Sequence, residues 1–432
     1  MFFPPARRAR TGTQHSNGCV IRMIKAVTRK DSAPTVAHLV PLVGQKSFGL
    51  GAVAVQLSSC QARMGWNSQV WCADEEDEVR WATGVHGASP DLVRRFSRVG
   101  PHFLAYAPRL EKLASGAEGQ AVSILHQHGI WSALSRVTAR WHSAHKRPAV
   151  IAAHGSLDAW ALRRSRLKKR LAWLLYEGRN VRTAASLHAT SEAELNNFRD
   201  FGLRNPVAVI RNGITEAWLD STGDGSRFRL RHLIPEDRRL LFFLSRITPK
   251  KGLPLLLDAL AGLGHELRDW LLIIAGIDEF GHEQQLKSQV DALGIAGAVR
   301  FMGPLYGQEK RDAMAACDLL VLPSYSEGSP MIVLDALGAG VPVLTTHGAP
   351  WGDLLRYECG WWVEISAAAL RDALLDIARM SRDELRAMGA RGKDLARSRY
   401  SWEASARQTL MLYEWLLGRA DAPDFVAMEA QR

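Results

Sequence analysis

The chain has 432 residues, 47% of them hydrophobic and 23% charged, a globular composition too long for one compact core, so two domains are expected. Five scattered cysteines without a Cys-x-x-Cys pair exclude a disulfide framework and a cysteine zinc site, and no apolar run reaches the roughly 18 residues of a membrane span. Much of the formal charge of +11 comes from Arg7, Arg8, Arg10, Arg22, Lys25, Arg29 and Lys30, a stretch without acids, so the body of the protein is only mildly basic.

Residues 1–34 read as a basic, disordered tail. The tail lacks both an amphipathic transit pattern and the apolar core of a secretory signal. Met23, just ahead of the first ordered pattern, is an alternative start. From Thr35 onward, short apolar runs alternate with segments of helical period, the mark of βα units and parallel sheets. The first half predicts strands at Thr35–Val43, Ser68–Ala73, Val122–Leu125, Ala149–Ala153, Ser186–Ala189 and Val207–Ile210.

Gly49 and Gly51 follow the first strand and open an apolar-faced helix. The G-x-G-x-x-G spacing of a dinucleotide site fails because Ala54 stands at its last position, and a tight turn permitting helix–strand packing explains the pair equally well. His126 and His128 end one strand; His154 and Gly155 end the next. Two histidines at i and i+2 suit metal ligands, but no third ligand with a recognisable spacing accompanies them, so no metal is expected and satisfied, half-buried histidines are the plainer account. Ala161–Trp173 packs Arg163, Arg164, Arg166, Lys168, Lys169 and Arg170 around a stripe of Leu162, Leu167, Leu171 and Leu174. That is a basic amphipathic helix suited to an anionic membrane, or else a solvated face. No other segment reads as a nucleic-acid module, so no nucleic-acid partner is expected.

Asp220–Glu236, rich in Gly, Asp, Ser and Arg, predicts a linker over 219–236 that divides a domain at 35–218 from one at 237–400. Strands then restart at Leu240–Leu244, Leu271–Ala275, Val299–Phe301, Leu319–Leu322 and Pro342–Thr345. After the first of these, SRITPKKG carries Arg246 and Lys251, two cations able to hold a diphosphate from two sides. LLIIAG ends in Gly276, where a ligand can approach the backbone. In LLVLPSYSEGSPMIVLDALGAGVPV a strand gives way to a polar loop with Glu327, Gly328 and Ser329, and a helix is expected with Ser329 as N-cap and Pro330 first inside. Free amides at such a start suit an anion or sugar hydroxyls. Asp335, among apolar neighbours in that helix, needs a partner. Trp361 and Trp362 are expected to pack beneath the last helix, 401–417, which should dock on a core; residues 418–432 read as frayed.

Together these segments resemble glycosyltransferase family 4 over roughly residues 35–417. Glu327 and Asp335 occupy the two acidic positions of the family's E-x7-E pattern, followed by a helix and a G-[VL]-P-V strand, and Arg246 and Lys251 match its R-x4-K-G. Asp335 departs from the pattern by one methylene. The resemblance implies an α/β GT-B fold: two Rossmann-like, doubly wound parallel-sheet domains facing an interdomain cleft, the first on the acceptor side and the second binding the nucleotide sugar. It implies that Glu327 contacts the transferred sugar, that Asp335 holds the nucleotide ribose, that Arg246 and Lys251 bind the diphosphate, and that His154 contacts the donor sugar. The Gly49–Gly51 loop would lie beneath the donor phosphates; Gly328, Ser329 and Gly276 join the donor-binding set, and His128 is a second-rank candidate.

The implied activity is retaining hexosyl transfer from a nucleotide diphosphate to a glycan or lipid-linked acceptor, in bacterial surface polysaccharide assembly. The protein is expected in the cytoplasm, peripheral to the inner face of the plasma membrane. No Asp-x-Asp sequence occurs, so Arg246, Lys251 and helix amides are expected to meet the donor charge without a divalent ion, and no cofactor is implied. A UDP-sugar epimerase and a non-catalytic nucleotide-sugar-binding protein remain as alternatives on the same scaffold.

Overall fold

The computed structural model describes residues 33–429 apart from Phe48, His102, Phe103, Ser221 and Thr222; the basic tail up to residue 32, Met23 within it, and residues 430–432 lie outside the described residues. Strands β1 (Thr35–Val40), β2 (Asn67–Cys72), β3 (Val93–Arg95), β4 (Ile124–His128), β5 (Ala149–Ala152), β6 (Ser186–Ala189) and β7 (Val207–Val209) pair in parallel in the order β7-β6-β5-β4-β1-β2-β3. A second parallel sheet holds β8 (Arg239–Leu244), β9 (Trp270–Ala275), β10 (Val299–Met302), β11 (Leu319–Leu322), β12 (Val343–Thr346) and β13 (Gly360–Val363) in the order β10-β9-β8-β11-β12-β13. Runs such as WLLIIA in β9 carry no polar alternation because both faces of the strand are covered, and all six residues are buried.

The strand order reverses between β1 and β4 in the first sheet and between β8 and β11 in the second. Loops leaving the carboxyl ends of such neighbours run to opposite faces of their sheet and open a crevice between them. Gly49 and Gly51 follow β1, His128 ends β4, Arg246 and Lys251 follow β8, and Glu327, Gly328 and Ser329 follow β11; His154 and Gly276 lie one strand away, after β5 and β9.

The chain crosses between the lobes twice, side by side. Ile210 belongs to the first core and Ile214 to the second. On the return, Tyr400 belongs to the second core, and Ile214 bridges Ser401. A side chain at Gly213 would collide with the Trp402 backbone, its Cβ falling 2.3 Å from the amide nitrogen, so the two crossings are in contact.

Three boundary expectations need correction. Residues 219–236 are not a free linker. Phe228 and Ile234 are buried in the C-terminal core, and Asp224 caps a helix at Gly225–Arg231; two apolar anchors sufficed where the flanking Gly, Ser and Arg had suggested a loop. Nor is 418–432 frayed as far as it is described: β14 (Val426–Ala427) adds antiparallel to β7. Trp361 and Trp362 form the edge strand β13, Trp362 donating to the Ala349 carbonyl at 2.7 Å, instead of packing beneath the last helix. That helix, Trp402–Leu416, is capped by Ser401 and lays Leu412 and Tyr413 on Val36, Ile124 and Ile210 of the first sheet.

Candidate active site

Lys251 and Glu327 meet where β8 and β11 end. Lys251 Nζ lies 2.5 Å from a Glu327 oxygen, and Ser324 Oγ donates to the same oxygen at 2.6 Å. Both side chains are nearly buried. The loops are drawn together by the backbone: the Tyr325 amide donates to the Lys250 carbonyl at 2.9 Å, and Gly252, at φ 68°, packs so tightly on Pro323 that a Cβ would fall 1.9 Å from its carbonyl oxygen. Burial would raise the Glu327 carboxyl, but Lys251 and Ser324 hold it below the usual range; burial draws the Lys251 ammonium down, and Glu327 opposes that.

Arg246 stands at the rim of the same loop, 3.1 Å from both oxygens of Glu279. Asp335 pairs with Lys310 from the preceding helix, and Trp218 donates to the Asp335 carbonyl at 2.8 Å. The partner that Asp335 requires is thus a residue the sequence motif does not contain. The helix begins at Met331 with Pro330 extended before it, so Ser329 is not its N-cap; no side chain caps the first turn. Gly276, at φ 153°, lies where a Cβ would come within 1.7 Å of the Ser245 carbonyl. The close approach there is by β8's own continuation.

Across the cleft, the turn after β5 faces the loop after β11. His154 adopts a left-handed φ of 50°, unusual for a residue with a side chain. The turn is held by Glu194, whose carboxylate accepts from the Gly155 amide at 2.6 Å and from Thr190 at 2.8 Å. Gly155 and Gly328 touch backbone to backbone, a Cβ on Gly328 falling 3.2 Å from the Gly155 amide, and Ser191 Oγ donates to the Gly328 carbonyl at 3.3 Å. His154 and Glu327 are therefore on abutting turns of opposite lobes. Lys250, next to Lys251, crosses the same gap to Asp158 at 3.0 Å and lies over the Trp160 ring; the KK pair in SRITPKKG splits between the lobes, a division that spacing alone does not reveal. Gly49 takes φ 94° ahead of the Leu50–Arg63 helix, with open space where a Cβ would stand. Gly51 instead serves packing, because a Cβ there would fall 2.5 Å from Val43 Cα.

His128 is fully buried, with His38 and His126 beside it, and these three bring ligand-capable nitrogens within 4.8 Å of one another. The third imidazole that the i, i+2 pair lacked in sequence comes from β1, in register with β4, where His38 pairs with His126. The nitrogens are engaged in hydrogen bonds: His38 to His128 at 2.9 Å and to Gln61 at 2.8 Å, His126 to Tyr413 at 2.6 Å and to His188 at 3.3 Å. Burial lowers His38, His154 and His188 to about 4 and takes His126 and His128 well below the ordinary value.

The basic segment is broken where one helix was expected. Short helices at Ala159–Arg163 and Arg166–Ala172 flank Ser165, which has a left-handed φ of 53°, and a π-helical turn follows at Trp173–Glu177. Leu162 packs inward, whereas Leu167, Leu171, Leu174 and Leu175 point to solvent, Leu167 81% exposed and Leu174 75%. Arg164 stacks on Phe280 of the other lobe and Lys169 lies over Trp131, which leaves Arg163, Arg166, Lys168 and Arg170 beside the exposed leucines. No helix among the described residues is long and apolar enough to cross a membrane.

Two family models match the chain: "Glycosyl transferase 4-like domain" at residues 48–213 and "Glycosyl transferases group 1" at 226–394. Among similar proteins are a phosphatidyl-myo-inositol mannosyltransferase of Mycobacterium leprae, 34% identical over 216 residues (49% of this chain, 54% of that protein), and a GDP-mannose:cellobiosyl-diphosphopolyprenol alpha-mannosyltransferase of Komagataeibacter xylinus, 27% identical over 301 residues (69% and 72%). The chain spans about half the length of the mycobacterial relatives it matches. Sucrose-phosphate synthase from Thermosynechococcus elongatus superposes with a TM-score of 0.73 at 18% identity, covering 90% of this chain and 100% of that one. Anabaena HepE, solved with UDP and glucose, gives 0.71 at 19%, covering 88% and 100%. With its two parallel-sheet lobes and both segments matched, the chain belongs to the family 4-type, group 1 glycosyltransferases of the GT-B fold.

Proposed function

We propose that the chain is a retaining hexosyltransferase that moves a sugar from a nucleotide diphosphate to a glycan or lipid-linked acceptor during assembly of a bacterial surface polysaccharide. The observation that carries this reading is the meeting of Lys251 and Glu327 at the β8/β11 crevice, directly against the His154–Gly155 turn of the other lobe. Cations at a strand-end crevice suit a diphosphate, and a carboxylate beside them suits a sugar hydroxyl. The Komagataeibacter relative's lipid-linked acceptor supports the acceptor class.

In this reading Arg246 and Lys251 bind the donor diphosphate and offset charge on it as it leaves, with no divalent ion and no cofactor. Lys251 is then shared between Glu327 and the phosphate oxygens. Glu327 and His154 hold the sugar from opposite lobes, and Asp335 with Lys310 borders the nucleotide. The departing diphosphate takes the acceptor proton on the face it leaves, so configuration is retained. Contact between the His154 and Gly328 turns limits water at the anomeric carbon. Exposed leucines beside Arg163, Arg166, Lys168 and Arg170 dock the N-terminal lobe on an anionic membrane at the inner face of the plasma membrane.

A thermal-shift panel of nucleotide sugars tests the donor. One at about 100 times its Kd should add about 2.7 kcal/mol to stability, and transfer assays with that donor should then yield a glycosylated acceptor. A panel with no stabilising member, or product formed without any acceptor, would remove the reading. Sedimentation with anionic vesicles tests the docking surface: Leu174→Asp with Leu175→Asp should abolish binding, and undiminished binding by that double variant would refute the surface.

A further inference from the structure

The buried histidines lie on one face of the first sheet and are linked in two chains whose proton positions follow from chemistry. A carbonyl only accepts, so His188, 2.9 Å from the Ile210 carbonyl through Nε2, carries its proton there. Its Nδ1 then accepts from His126 Nε2, and His126 Nδ1 accepts from the Tyr413 hydroxyl. In the second chain, Thr409 Oγ1 is 2.8 Å from the Ala406 carbonyl and 3.1 Å from that of Ser405, a geometry in which its hydroxyl donates to its own helix and accepts from Gln61 Nε2 at 2.9 Å. Gln61 therefore turns its oxygen to His38 Nε2 and to Ser68. His38 Nε2 carries a proton, and its Nδ1 accepts from His128 Nε2 at 2.9 Å. His128 Nδ1 in turn accepts from His154 Nε2 at 3.1 Å. Every link is made with neutral rings, consistent with the depressed basicity of all of them.

The chain ends at the cleft. His154 is half-buried, sits on the strained turn against Gly328, and has no hydrogen-bond partner at Nδ1 among the described residues. We propose that His38 and His128 are positioning residues that hold His154 as its Nε2–H tautomer, so that Nδ1 is presented to the cleft as a hydrogen-bond acceptor for a hydroxyl of the donor sugar. The last contact rests on the function proposed above. The class of group accepted there is a hydroxyl and not a carboxylate or phosphate oxygen, because only the hydroxyl brings a proton to a neutral lone pair. Gln61, through its amide orientation, sets the direction of the whole chain; reversing it would reverse all three rings and turn His154 Nδ1 into a donor.

Long-range proton–nitrogen correlation spectra of the full chain with 15N-labelled histidine read this directly, without any donor, His154 being assigned by the signal lost in His154→Gln. The wild type should show His38, His128 and His154 protonated on Nε2. His38→Asn, which keeps an acceptor for His128, should leave the His154 pattern in place, whereas His38→Phe should move the His154 proton to Nδ1. A wild-type His154 protonated on Nδ1 would overturn the proposal whether or not either variant folds, as would an unchanged His154 tautomer in a folded His38→Phe. Calorimetry with the nucleotide sugar that raises the melting temperature separates the ligand from the relay: His154→Ala should weaken binding about tenfold, and unaltered affinity alongside the expected tautomers would overturn the hydroxyl contact alone.

Discussion

On the C-terminal side of the cleft the polar groups are ion pairs: Lys251 with Glu327, Lys310 with Asp335, Arg246 with Glu279. On the N-terminal side, beside Asp158 and Glu194, lies a buried layer of imidazoles on β1, β4, β6 and the turn after β5, against the helices carrying Gln61 and Thr409. In the proposed function, the contrast is how the two lobes divide the work of holding one ligand. Charge is placed where a diphosphate would sit, and unpaired charge is kept away from where a sugar would sit. A charged ring in this layer would be a buried ion, which is far more costly than a hydrogen-bonded neutral one.

Substitution on the charged side should have the largest effect. Glu327→Gln removes the carboxylate while keeping its size, and transfer should fall by about 10²–10³ fold in kcat, the scale on which a single preorganised polar group acts. Circular dichroism should remain that of the wild type, and near-normal turnover would show that Glu327 is a structural partner of Lys251 and nothing more.

Acid should separate the lobes next. His38, His154 and His188 titrate near 4 in the fold against about 6.5 unfolded, so between those values the unfolded chain binds the extra protons. Stability is then full above about pH 6.5 and falls as pH drops toward 4, by about 1.4 kcal/mol per pH unit for each histidine. The Glu327 contribution runs at lower pH, being present above the unfolded carboxyl value near 4.3 and lost as pH falls through its depressed folded value. Hydrogen exchange at about pH 5 should therefore show β1, β4 and β5 losing protection before β8 and β11; the reverse order would contradict the neutral layer.

Smaller changes sharpen the comparison. Asp335→Ala should weaken nucleotide binding by about tenfold, roughly 1.4 kcal/mol, and leave Lys310 unpaired, whereas Asp335→Glu should leave affinity unchanged or raise it. Equal losses in both variants would mean that the site is built around the shorter acid. Lys250→Ala cuts a partly buried bridge between the lobes, Lys250–Asp158, and should open the cleft at a cost of about 1 kcal/mol. Small-angle scattering without donor should show a larger radius, and an unchanged radius would show that other contacts hold the lobes.

The charged half was legible in the sequence because its residues are local: Arg246 and Lys251 share one loop, and Glu327 and Asp335 lie eight residues apart across a marked loop–helix boundary. Their partners were not. Lys310 and Glu279 come from other βα units, and Lys250 gave no sign that it faces the opposite lobe. The histidine layer was the least legible. His38, His126 and His188 lie on β1, β4 and β6, no two of them consecutive strands, so only the parallel register of the sheet brings them together. At Gly51 and Gly276 a ligand approach and close backbone packing look alike in sequence, and the structure shows the close packing at each. The segment 219–236 conceals its burial in the same way, since its helix Gly225–Arg231 packs on the helix Gly307–Ala316 far along the chain.

The diphosphate assignment is tested most directly by calorimetric titration of the stabilising nucleotide sugar, and of its free nucleoside diphosphate and monophosphate, into the wild type and Lys251→Met. The diphosphates should bind the wild type at least tenfold more tightly than the monophosphate, and Lys251→Met should abolish that preference while keeping the fold. Equal affinity for mono- and diphosphate in the wild type, or a preference that survives in Lys251→Met, would contradict it.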